Sequence, residues 1–105
     1  MTFADVRGIA LSLPGVVEAT SYGTAAFKAG GKLIARLKED GVSLVVGTTF
    51  EERAEMMAAE PETYYITDHY LNYPYVLVRL PRVHPDAMRD LLARALRLAK
   101  KPRNA

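Results

Sequence analysis

The chain has 105 residues, half of them apolar and a quarter charged, with a formal net charge of +2 and no cysteine. A chain of this length builds one modest core, its composition argues against intrinsic disorder, and the missing thiols exclude disulfides, iron–sulfur clusters, thiolate zinc sites and cysteine nucleophiles. No stretch approaches the length of a membrane span, and Asp5 and Arg7 interrupt the N-terminus where a signal peptide needs a long apolar run, so a cytoplasmic protein without membrane contact is expected.

Thr2 followed three residues later by Asp5 is a capping-box pattern, and Phe3, Val6, Ile9, Ala10 and Leu13 then recur at helical spacing until Pro14-Gly15. This predicts a first helix. Residues 21–49 predict a three-stranded meander, because Ala29-Gly30-Gly31 and Glu39-Asp40-Gly41 are turn signals between runs of strand formers. In its second strand Leu33, Ala35 and Leu37 alternate with Lys32, Ile34, Arg36 and Lys38, giving one apolar face and, Ile34 apart, one basic face. Thr49 with Glu52 opens a second helix to Ala59, whose expected buried stripe is Phe50, Ala54, Met57 and Ala58. Residues 63–67 read as a fourth strand, 68–74 as a loop, and 75–80 as a fifth strand with Val76, Val78 and Leu80 on one side and Tyr75, Leu77 and Arg79 on the other. Pro85 and Asp86 suit the first turn of a last helix with the stripe Met88, Leu91, Leu92, Ala95 and Ala99.

This order predicts an α+β fold: a two-layer sandwich in which an antiparallel sheet of about five strands carries the helices on one face. The helices are expected over Leu33, Leu37, Val42, Leu44, Val46, Val76 and Val78. The opposite face then presents Lys28, Arg36, Lys38, Tyr65, Tyr75 and Arg79 as an open surface. Five of the six tyrosines fall between Tyr64 and Tyr75, and they are expected to divide, with Tyr64 buried on the side of Ile66 and Tyr75 on the open face. Aromatic rings among cations on a sheet face suit nucleic-acid backbones and bases. A mixed polar face is also what any exposed antiparallel sheet presents.

Charge is uneven. Residues 1–62 hold six Lys/Arg against nine Asp/Glu, a net −3, and residues 63–105 hold eight against three, a net +5. Arg94, Arg97, Lys100, Lys101 and Arg103 form an acid-free run, which suits phosphate contact and equally the negative end of a helix dipole.

The residues Leu13-Pro14-Gly15, Glu18, Tyr22-Gly23, Phe27-Lys28, Gly31-Lys32, Ala35, Asp40-Gly41 and then His69, Leu71 and Asn72, in this order and spacing, resemble the MmcQ/YjbR family of small bacterial proteins. The resemblance covers nearly the whole chain and implies one domain with a CyaY-like, frataxin-like fold and DNA binding of a double-wing type. Where many relatives follow the asparagine with a basic residue and His-Trp, this chain has Tyr73-Pro74-Tyr75. The site this implies comprises Lys28, Lys32, Arg36, Lys38, Tyr65, His69, Asn72, Tyr75 and Arg79, binding DNA with weak sequence preference. A protein or peptide partner at the tyrosine loop is the competing expectation.

For catalysis and metals the residues offer little. His69 follows Asp68 in a loop and His84 precedes Pro85, with no metal-ligand spacing between them, and Ser12, Ser21 and Ser43 lack any nucleophile setting. Glu51 and Glu55 form an acidic helical edge of the kind that holds weakly bound iron in frataxin-like folds, although acids in a first helical turn are favoured by the dipole alone. The expectation is a protein with no cofactor, no resident metal and no catalytic role.

Overall fold

The computed structural model describes residues 1–101; Arg103, the last cation of the acid-free run, lies outside them. The chain runs α1 (Phe3–Ser12), β1 (Val17–Ser21), β2 (Thr24–Ala29), β3 (Lys32–Leu37), β4 (Ser43–Gly47), α2 (Phe50–Ala59), β5 (Tyr64–Tyr65), a 3-10 turn (Asp68–Tyr70), β6 (Tyr75–Arg79) and α3 (Pro85–Lys100). The strands form one antiparallel sheet in the order β1-β2-β3-β4-β6-β5. It is the expected α+β architecture with one strand more than the pattern gave. The addition is β1, joined to β2 by the two-residue turn Tyr22-Gly23, in which both residues have positive φ (53° and 79°) as a type I′ hairpin requires.

The helix ends form as their residues dictate. Thr2 and Asp5 close a full capping box, and Thr49 accepts the Glu52 N–H at the start of α2. His84 is the N-cap of α3, its Nδ1 accepting the Asp86 N–H at 3.2 Å.

The principal core lies between the sheet and the helices: Phe27, Ile34, Ala35, Leu44, Val46, Val76 and Val78 from the strands, Val6 and Ala10 from α1, and Met88, Leu91, Leu92, Ala95 and Leu96 from α3. Leu37 is half-buried against it, and Tyr64 is buried within it. The expected alternation breaks in β3. A bulge opposite Phe27/Lys28 pairs Phe27 with Ala35 but Lys28 with Leu33, so one residue of β3 is extra. Ile34 thereby drops into the core beside Ala35, and Leu33 shares its side with Lys28 and Arg36. Val42, expected beneath the helices, stands half exposed in the turn before β4.

Helix α2 also departs from its expected stripe. Phe50, Ala54 and Ala58 are exposed, Met56 and Met57 are half-buried against the core, and the one buried residue is Arg53.

Candidate functional site

On the sheet face away from the principal core, alternation turns Val45 of β4 and Leu77 of β6 outward from the residues that meet the helices. They are not exposed. Tyr70, carried by the 3-10 turn, folds over them, and Tyr65, Ile66 and Tyr75 pack around this second, smaller core. The open sheet face expected from the sequence is therefore roofed at its centre by the tyrosine loop. Ile66 belongs to this cluster and not to Tyr64's side, because β5 ends at Tyr65 and alternation stops with it.

Two buried arginines hold the roof in place. Arg36, only 6% exposed, donates from Nη2 to the Tyr70 hydroxyl at 2.7 Å and from Nη1 to Glu39 Oε1 at 3.0 Å, with longer contacts to Thr24 Oγ1 and the Leu37 carbonyl. Burial alone would lower its pKa, but the bonds to Tyr70 and Glu39 outweigh that and raise it, so the charge is secure. Arg53, 8% exposed, reaches from α2 to four carbonyls of the loop: Tyr70, Tyr73 and Tyr75 through Nη1 at 2.9, 2.8 and 3.2 Å, and Leu71 through Nη2 at 3.0 Å. A planar guanidinium with several fixed donors can satisfy such a cluster of carbonyl dipoles where a lysine cannot. Around Pro74 the chain makes a tight turn, with the Tyr75 N–H donating to the Tyr73 carbonyl at 2.8 Å and the Thr48 N–H to the Pro74 carbonyl at 3.0 Å.

Between this loop and the β1–β2 hairpin lies a concavity of about 380 Å³, lined by Ser21, Tyr22, Lys28, Gly31, Leu33, Arg36, Val45, His69, Tyr70, Tyr73 and Tyr75. Four tyrosine rings and an imidazole meet two cations there, and no carboxylate lines the wall. Its aromatic components touch one another: His69 meets Tyr70 edge-on with centroids 4.7 Å apart and Tyr73 at 6.1 Å, and Tyr70 meets Tyr75 edge-on at 6.1 Å. Burial, with the neighbouring Tyr22 and Tyr70 phenols, pushes the Tyr75 pKa up, so its hydroxyl stays neutral. Tyr22 stands at the rim, 84% exposed, with the Arg36 guanidinium 5.3 Å from its ring centre.

A family model described as YjbR matches residues 11–98. The chain belongs to the YjbR family. The fold also matches the crystal structure of Deinococcus radiodurans protein DR2400, which carries the domain DUF419, with a TM-score of 0.82 at 23% identity over 99% of this chain and 82% of that one. At that identity the likeness speaks for the fold. No curated protein matches the chain significantly.

The structure of this YjbR chain gathers some of the residues expected at the site and disperses others. Lys28, Arg36, His69 and Tyr75 meet around the concavity, and Lys38 lines a smaller one beside it. Lys32 is exposed at the β2–β3 hairpin, and Asn72 is exposed on the loop. Tyr65 is occupied: its hydroxyl shares a 2.7 Å hydrogen bond with Ser43 Oγ, and Arg79 lies 4.0 Å over its ring while donating to the Pro61 and Glu62 carbonyls. Arg36 and Arg79 are thus structural cations more than free phosphate donors. His69 is placed by its ring contacts to Tyr70 and Tyr73. Tyr22, Tyr70, Tyr73 and Arg53 complete the site and were not singled out as functional. The signal for Tyr22 lay in Tyr22-Gly23 itself, a hairpin dipeptide with a bulky residue where glycine or asparagine is usual. Among the described residues no three His, Asp or Glu side chains converge as a metal site would need, and Glu51 and Glu55 are exposed on α2. Among the same residues no helix is long and apolar enough to cross a membrane.

Proposed function

We propose that this protein is a non-catalytic, cytoplasmic binder of nucleic acid that takes an unpaired base of a single strand into the tyrosine-lined concavity, with weak sequence preference. The observation that carries the reading is the composition of that wall: aromatic faces and cations without a carboxylate. A ligand fitting it has a planar apolar portion and a negative charge, as a nucleotide has. Lys28 takes the phosphate. Tyr75 and Tyr73 supply the stacking surfaces, and His69 borders the entrance. Rings tolerate every base, since each base offers a π face, which accounts for weak sequence preference.

Titration with a fluorescent single-stranded oligonucleotide tests this. Tyr75→Ala should weaken binding by about 1 to 3 kcal/mol at unchanged salt dependence, whereas Tyr75→Phe keeps most of the affinity. Lys28→Ala should make the logarithmic salt slope shallower by about one unit, because one phosphate contact releases its counterions. Binding that ignores salt would remove Lys28 from phosphate contact, and an absence of binding at low salt would refute the proposal.

A further inference from the structure

Four residues of the concavity, Tyr22, Arg36, His69 and Tyr70, also line a second one of about 300 Å³, which continues past Tyr22 to Lys38, Glu39 and Thr67. The two are neighbouring compartments with a shared partition. We propose that they hold two successive nucleotides of one strand, the strand crossing beside Tyr22. The inference rests on the nucleotide reading of the first compartment and adds a footprint to it.

Three observations support a second subsite. The first is the partition itself. Tyr22 holds a positive φ of 53°, a backbone state that a bulky side chain occupies at a cost, and keeps its ring 84% exposed. Asparagine or glycine would make the same turn without strain. The turn geometry therefore gives no reason for a tyrosine, whereas a ring bordering two compartments offers stacking surface to both. Second, the compartments carry cations at opposite ends. Lys28 pairs with Leu33 at one end of β3, and Lys38 follows its other end, roughly 15 Å away at the rise of a strand. A single phosphate cannot serve both; a strand passing Tyr22 brings a separate phosphate to each. Third, the second compartment is polar but not repulsive. Its carboxylate, Glu39, is already paired with Arg36 at 3.0 Å, and the Thr67 side chain makes no capping bond at the 3-10 turn it precedes.

The test is a length series: thymidine 5′-phosphate and the di-, tri- and tetranucleotides of thymidine, competed against a fluorescent oligonucleotide at fixed low salt. Affinity should rise on the order of tenfold to a hundredfold from the mononucleotide to the dinucleotide, the worth of one stacked base, and only slightly beyond it. Thr67→Trp, which fills the second compartment, should abolish that rise and leave the mononucleotide's affinity at the parental value, while Thr67→Ala keeps the rise. Because the readout is the ratio of two affinities in one protein preparation, a partly unfolded variant does not imitate the result. A mononucleotide that binds as tightly as the dinucleotide, a gain that continues equally with each added nucleotide, or a Thr67→Trp variant that retains the rise would overturn the two-nucleotide footprint with the first site intact. Failure of the parent protein to bind any member would instead refute the nucleotide reading, and the footprint with it.

Discussion

The two faces of this sheet solve burial by opposite means. Toward the helices, Phe27, Leu44, Val46, Val76, Val78, Met88 and Leu92 exclude water with almost no polar atoms, and their stabilisation depends on area and packing. Toward the tyrosine loop the apolar cluster is small, Val45, Tyr70 and Leu77, and two buried arginines with fixed partners fasten the cover. An apolar core tolerates substitution of similar volume. A hydrogen-bonded cluster tolerates little, since each group removed leaves others unsatisfied. The first face therefore sets how stable the protein is, and the second sets the shape of one surface.

Breaking the first face should have the largest effect. Phe27→Ala should cost about 3 to 5 kcal/mol in chemical denaturation, as large-to-small changes in a closed core do, and loss of less than about 1 kcal/mol would mean that the site is far more exposed than its burial indicates. Next comes the clamp on the second face. Arg53→Ala should cost about 1.5 to 3 kcal/mol, the range for hydrogen bonds to a charged group, by freeing four loop carbonyls. It should also raise amide exchange in residues 70–75, which Phe27→Val should not; unchanged exchange there would remove Arg53 from its role. Tyr70→Phe deletes one bond to Arg36 and should cost about 1 to 2 kcal/mol.

How far the molecule is legible in its sequence follows the same division. The helix-facing core was readable because Leu44, Val46, Val76 and Val78 repeat with the period of a strand, and the caps at Thr2, Thr49 and His84 are local chemistry. The period failed where the backbone added a residue, at the Ile34 bulge, and where an element was too short to have one, at β5. The second face was hidden for a different reason. Arg36–Tyr70 and Arg53 with its loop carbonyls join residues 34 and about 20 positions apart, and no local pattern encodes such pairs. Arg36 read as a free surface cation because a strand's alternation says which side a residue takes, and nothing about what will cover it.

A smaller effect compares a tyrosine from each face. Burial raises the Tyr64 phenol, with help from Glu60, and burial raises Tyr75, with help from Tyr22 and Tyr70, above the ordinary 10.0. A raised folded-state value means that this contribution to stability is fully present below about pH 10 and is lost as pH rises through the folded values. Ultraviolet titration should find the Tyr64 and Tyr75 phenols ionising late, and Tyr75→Phe should remove one late-ionising phenol. At the smallest end, Arg7→Ala breaks the exposed Arg7–Glu18 pair and should leave the melting temperature unchanged.

The proposed ligand surface is the concavity between the tyrosine loop and the β1–β2 hairpin. Amide chemical-shift mapping during titration with a short single-stranded oligonucleotide at low salt tests it most directly. Saturable shifts are expected at Tyr22, Lys28, His69, Tyr73 and Tyr75, with the exposed faces of α1 and α3 silent. Shifts confined to Arg97, Lys100 and Lys101 at the end of α3, or none at any residue, would contradict it.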